Sequence, residues 1–167
     1  MDYLGEAGVG NTGYFDSNET AFPQFMQYPW FNAWCGDIDL CGNMKPQFLY
    51  RKIVFHDSKI EMLVHPPIPD GKKEHVSYWG WPDEKHSWNW SGFENKPLEV
   101  RVFSRCDEVE LYLNGKLVEK KKISNELKTK YTTSFQVPYQ PGILKAVAIQ
   151  NGRSEERRVG TECRSRW

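Results

Sequence analysis

The sequence predicts a mainly β chain: an aromatic-rich loop region with one short helix, then a small antiparallel β-sandwich. Three observations predict it. From Pro97 onward, short runs alternate apolar and polar residues with turn signals between them, the pattern of half-buried strands. Residues 4–29 hold no sustained period of 2 or 3.6 and read as one long loop. Aromatic residues crowd the first part, 18 of the 24 falling in residues 1–93, which argues against disorder there.

The elements follow in order. "MDYLGEAGVG" reads as the end of a buried strand running into a Gly-rich loop, so Met1 is expected to be internal to a longer protein. Residues 30–45 continue as loop or short strand. Pro46 suits the first turn of a helix, where its missing N–H costs nothing. "PQFLYRKIVFH" then places Leu49 and Ile53 on one apolar face, with Tyr50 and Val54 beside them. "KIEMLVH" alternates Ile60, Met62 and Val64 as a strand, and "PPIPDGKK" ends it in a turn-rich linker. Residues 74–94 have no period and carry Trp79, Trp81, Trp88 and Trp90.

In the sandwich, "PLEVRVFS" and "DEVELYLN" are successive strands. Asn114-Gly115 is a type I′ hairpin signal, since both central residues of that turn need positive φ. It should join strands near 107–113 and 116–122, with Val109, Leu111 and Leu113 inward and Glu108, Glu110 and Tyr112 outward. The run Lys120-Lys121-Lys122 reads as a solvated strand edge. "YTTSFQVPY" and "ILKAVAIQ" follow, with "QPG" turning between them.

Composition excludes several classes. With 22 basic and 22 acidic residues, nothing suggests nucleic acid or an anionic membrane surface as a partner. No apolar run is long enough to span a membrane. Cys35 and Cys41 are not at zinc-finger spacing, and His56, His65, His75 and His86 are scattered, so no structural metal is expected. Two buried thiols are the preferred state of the pair, with a disulfide open to an exported protein. Basic usage breaks sharply: residues 1–152 hold 14 Lys and three Arg, residues 153–167 five Arg and no Lys. The sandwich is therefore expected to end near residue 151 without its closing strand, and 152–167 to be a foreign tail that adds nothing to stability.

Taken together, these blocks resemble glycoside hydrolase family 2, in particular its β-galactosidase-like members. "MDYLGEAGVG" is similar to the end of the eighth strand of the family's (β/α)8 barrel. "YPWFNAWCGDIDLCGNMKPQFLYRKIVF" is similar to its passage through the following loop into the last barrel helix. "VSYWGWPDEKHSWNWSGFENKPLEVRVFSRCDEVELYLNGKLV" and "VPYQPGILKAVA" resemble the linker and the small Ig-like domain after the barrel. The resemblance implies the barrel's end in residues 1–58, a strand and Trp-rich linker in 59–94, and the sandwich in 95–151. The tail "SEERRVGTECRSRW" resembles vector or adapter read-through.

The resemblance also implies an activity: a retaining exo-glycosidase cleaving terminal β-linked sugars. Retention needs two carboxyls about 5–5.5 Å apart. In the family both are Glu, at the ends of the fourth and seventh barrel strands, and no segment here resembles either. No catalytic residue is assigned, and the isolated chain is expected to be inactive. No cofactor is expected, and the expected partner is a carbohydrate substrate. Oligomeric state and export, to a periplasmic or secreted location, stay open.

Barrel sites are built from the loops after the strands, so part of a sugar pocket is expected here. Asp2 matches an acid at the strand end in the family, with a hydrogen bond to a sugar hydroxyl or to a catalytic neighbour as its role. A salt bridge at the barrel rim is the alternative. Trp30 and Trp34 offer a stacking platform for sugar faces, against packing of the loop on the barrel. Asp37 and Asp39 are read as capping residues rather than a catalytic pair. The four later tryptophans are read as an interdomain seam. A different class of function, a non-catalytic carbohydrate-binding or structural β domain, would use them as an aromatic face.

Overall fold

The computed structural model describes residues 13–17, 36–38, 42–76 and 81–160. Among them the elements run β1 (Gly13–Asp16), α1 (Pro46–Val54), β2 (Ile60–Val64), β3 (Lys72–His75), β4 (Pro97–Ser104), β5 (Glu108–Leu113), β6 (Lys116–Lys122), β7 (Thr132–Pro138), β8 (Leu144–Gln150) and β9 (Arg153–Gly160). The chain divides into two units, each made of two stretches: 1–49 with 68–83, and 50–67 with 84–167.

In the first unit β1 and β3 form a two-stranded antiparallel ribbon, with Tyr14 opposite Glu74 and Asp16 opposite Lys72. Lys72 Nζ lies 2.6 Å from the Asp16 carboxylate, and Ser17 N donates to Gly71 O at 2.9 Å, closing one end. Both segments were expected to be loop and linker. Four-residue strands are too short to show a period, and "KKEH" carries no apolar face, so the pairing left no trace in the pattern.

The helix starts at Pro46, as its sequence predicts, and its apolar positions Leu49 and Ile53 are buried. Val54, set beside them, is exposed. The chain leaves the helix through His56, which stands at φ 68° where glycine is usual. His56 N donates to Ile53 O, and Asp57 N reaches back to Lys52 O at 2.8 Å. These bonds use up helix-end carbonyls that would otherwise be orphaned.

The second unit is a two-sheet antiparallel sandwich. One sheet has the order β2-β4-β7, the other β6-β5-β8-β9. The layout is Ig-like, with the fourth strand of the sandwich, β6, lying on the sheet of the third. Inward residues of both sheets fill one core: Val100, Val102 and Phe135 from one side, Val109, Leu111 and Ala146 from the other. Fully burying a Val, Leu or Phe side chain stabilises by about 1.5–3 kcal/mol, so this cluster dominates the unit's stability.

The strand β2, read as a half-buried strand at the head of a linker, is instead a full member of the sandwich and is buried on both faces. Its neighbour in the sheet, β4, is buried on both faces only at its end, residues 102–104, with Glu99 and Arg101 half-exposed before it. On the face away from the core, Glu61 is only 2 % exposed and is met by Lys52 of α1 at 2.9 Å. Tyr50 of the same helix packs edge-on to Phe103, ring centroids 5.5 Å apart. Arg101 pairs with the buried Glu84, and Ser104 Oγ donates to Lys59 O at 2.7 Å.

The β5–β6 hairpin forms at the expected residues, with Asn114 at φ 51° and Gly115 at φ 79°. Val109, Leu111 and Leu113 point inward, and Glu108, Glu110 and Tyr112 stay half-exposed. The strand β6 is the solvated edge that its lysines suggest. A bulge between Leu111 and Tyr112 lets Val118 slip out of register. Asn114 also works through its side chain: Nδ2 donates to Pro141 O at 3.1 Å, and Oδ1 accepts from Ile143 N at 2.9 Å. One asparagine thus shapes two turns.

The sheet does not stop at residue 151. Residues 153–160 form β9, antiparallel to β8, with Gln150 opposite Arg153 and Leu144 opposite Gly160. This corrects the expectation of a missing closing strand. The physical reason is a second Asn-Gly turn, Asn151 at φ 50° and Gly152 at φ 76°, which folds the chain back on β8. Asp107 fixes that turn by accepting from Asn151 N at 2.9 Å. The pairing itself is made by backbone groups and does not depend on the change in composition.

Two outcomes test this description. A Cβ at position 115 meets nothing within 4 Å, so Gly115→Val should destabilise only through its backbone, by about 1–2 kcal/mol or more in chemical denaturation, while Gly115→Ala costs less. Truncation after Gly152 should speed hydrogen exchange at the β8 amides that face β9, leaving those that face β5 protected; equal exchange in both chains would show that β9 does not pair.

Candidate functional site

The residues expected to line a sugar pocket, Asp2, Trp30 and Trp34, lie outside the described residues, as do Asp39, Cys35, Cys41 and Trp79. What is described of that loop is its return. Ile38 bridges to Met44, and Lys45 N donates to Asp37 O at 2.9 Å. Gln47 Nε2, in the first turn of α1, donates to Gly36 O at 2.7 Å. The end of the loop is thereby tied to the start of the helix.

The aromatic cluster divides. Trp81 is half-buried in the first unit. Trp88 is fully buried in the core of the sandwich, where its indole N–H donates to Gln140 O at 2.9 Å and its ring meets Tyr139 edge-on at 5.2 Å. Trp90 packs against the same core. The seam reading is corrected for Trp88, which is internal to the sandwich; Trp90 is half-buried. An indole with no exposed face cannot stack on a sugar, so Trp88 offers no platform either.

The described polar group nearest in kind to a site is in the first unit. Strand pairing sets Tyr14 opposite Glu74, and Tyr14 Oη donates to Asp83 Oδ2 at 3.3 Å. Glu74 Oε1 accepts from Asp83 N at 2.9 Å. Burial first, and then the charges of Asp83 and Glu74, hold the Tyr14 phenol well above the usual tyrosine range. The phenol therefore stays a donor, and both carboxylates hold chain in place. This arrangement organises the segment around the ribbon. Sequence reading missed it because its members are 69 positions apart and the ribbon that joins them was not legible. Among the described residues no group of three or more His, Cys, Asp or Glu could hold a metal ion. No helix among them is long and apolar enough to cross a membrane.

An antiparallel sandwich with a helix before it defines a fold class, a β-sandwich domain, and leaves the chemistry open. Comparisons with known proteins are more specific. Residues 95–155 match the model of a family described as a domain of unknown function, DUF4982. Over 157 residues the chain is 29% identical to a protein of Formosa agariphila named "Putative beta-glucuronidase", a match covering 92% of this chain and 11% of that protein. Two solved structures of glycosyl hydrolase family 2 members from Bacteroides cellulosilyticus are similar in fold. One is 34% identical with a TM-score of 0.65, covering 77% of this chain and 16% of that one. The other is 29% identical with a TM-score of 0.70, covering 92% of this chain and 20% of that one. The resemblance to glycoside hydrolase family 2 is borne out, and the chain's homologues are glycosidases of that family. The chain spans between 11% and 20% of the length of these relatives.

The raised Tyr14 affinity for its proton gives a pH dependence of definite sign. An unfolded chain releases that proton near pH 10, the folded ribbon only at higher pH. Stability contributed by Tyr14 is thus complete below about pH 10 and is lost as pH rises beyond it. In an alkaline absorbance titration, an ionisation above the usual tyrosine range should disappear in Tyr14→Phe; an unchanged profile would remove the assignment.

Proposed function

We propose that this chain is the C-terminal end of the catalytic barrel, with the sandwich that follows it, of a retaining exo-glycosidase acting on terminal β-linked sugars. The observation that carries this reading is the likeness to a glycosyl hydrolase family 2 structure over 92% of the chain at a TM-score of 0.70. The likeness runs through the loop and helix into the sandwich, which a free-standing binding domain would not need. The burial of Trp88 supports it too, since the tryptophan that an aromatic binding face would require is spent on the core.

Two sugars compete for the substrate. The sequence blocks resemble β-galactosidase-like members, which favours a β-galactoside. The name of the Formosa agariphila relative favours a β-glucuronide. In either case the two catalytic carboxyls belong to barrel strands outside this sequence, and the contribution of this chain is the pocket-side loop and the support of the last helix.

Chromogenic substrates test the reading. Residues 1–167 alone should turn over neither β-galactosides nor β-glucuronides above background. A parent protein extended upstream through a complete barrel should hydrolyse one of them with retention at the anomeric carbon. Turnover by the short chain that survives repurification would refute the proposal.

A further inference from the structure

We propose that the sandwich carries a binding pocket for a small oxyanion, a carboxylate or a tetrahedral sulfate or phosphate group, between the segment entering β2 and the turns at the ends of β4 and β8. The pocket has a volume of about 210 Å³ and is lined by Lys59, Arg105, Cys106 and Gln150. With roughly 30 Å³ per water molecule, it has room for such a group and part of the molecule that bears it. Two of its four lining side chains are cations.

Arg105 is the reason to expect an anion. Its Nε is buried and has no hydrogen-bond partner. Its Nη1 meets His56 Nδ1, a nitrogen that can accept only while the imidazole is neutral. A guanidinium ordinarily satisfies its planar fork on a carboxylate or phosphate. Here its Nη1 meets an imidazole and its Nε is left bare, a combination that calls for an explanation in a folded protein. The nearby carboxylate, Asp107, is already engaged at both oxygens: Oδ1 accepts from Gln150 Nε2 and Oδ2 from Asn151 N, each at 2.9 Å. His56 reaches this position only by adopting φ 68° at the end of α1, a conformation that costs a non-glycine residue energy. An oxyanion seated in the pocket would face the Arg105 guanidinium, with Lys59 supplying a second charge from the pocket wall.

The test is a titration of the isotope-labelled full chain, followed by amide NMR, with sodium sulfate and, separately, sodium acetate, against sodium chloride at matched ionic strength. Saturable shifts are expected at His56, Lys59, Arg105, Cys106 and Gln150. Saturation by sulfate alone identifies a tetrahedral anion, by acetate alone a carboxylate, and by both a pocket that reads charge. Arg105→Gln should weaken binding by about tenfold, the loss of one charge-assisted hydrogen bond, and Lys59→Gln severalfold. Lys116→Gln, on the exposed edge strand, should leave it unchanged. Shifts that stay linear and spread over all surface lysines would overturn the proposal. So would a folded Arg105→Gln chain that binds like the unaltered one. If that variant does not fold, undiminished affinity in Lys59→Gln has the same force.

Discussion

A strand covered on both sides has to find a partner for every polar group that it carries inward, and β2 meets this demand over its whole length, β4 at its end. Their inner face supplies Ile60, Met62, Val64, Val100 and Val102 to the sandwich core. Their outer face would be ordinary solvent-facing sheet but for the residues of α1 that lie on it. Once Glu61 is buried, Lys52 must be where it is. Once Arg101 is drawn under cover, it takes the carboxylate of Glu84 and the face of Phe103. Buried pairs of this kind add little over an apolar substitute, yet breaking one costs about 3–5 kcal/mol, because a charge is left without its counter-ion. Position is what they secure. Lys52–Glu61 ties the last turns of α1 to β2, and Arg101–Glu84 ties the segment before β4 to the same sheet.

That constraint explains what was legible in the sequence and what was not. The β5–β6 hairpin could be read to the residue, because Asn114-Gly115 states the turn and the alternation of Val109, Leu111 and Leu113 states the face. The helix start was legible from Pro46. The double burial of β2 was not, since Glu61 looks like an outward residue until Lys52 is known to stand over it. The ribbon of β1 and β3 was hidden by its shortness and its charge. For β9 the turn signal is present at Asn151-Gly152, but the shift from Lys to Arg beside it points to the end of the domain. Composition tells where a segment came from, whereas pairing depends on backbone groups that every residue but proline supplies.

The candidate site was legible in a different sense. The resemblance to glycoside hydrolase family 2 could be stated from ordered blocks of sequence, and the similar solved structures are of members of that family. Its expected contacts, Asp2, Trp30 and Trp34, rest on that likeness alone. The tryptophans after residue 80 show why residue type is a weak guide to sugar binding. Trp88 has the chemistry of a stacking platform, but the core offers it Tyr139 and a carbonyl acceptor, and it takes those instead.

The turn at Asn114 ties together two positions that stand far apart in the chain. A Cβ added at Gly142, itself at φ 141°, would sit 1.8 Å from Asn114 Oδ1. Any side chain there has to expel the asparagine amide from the bonds it makes to Pro141 and Ile143. Positions 114 and 142 are therefore one unit of heredity. Once the amide at 114 has been given up, part of the penalty for a larger residue at 142 has already been met, so the effects of the two changes do not add. A change at 114 therefore lightens a later change at 142, whose backbone at φ 141° still resists any side chain.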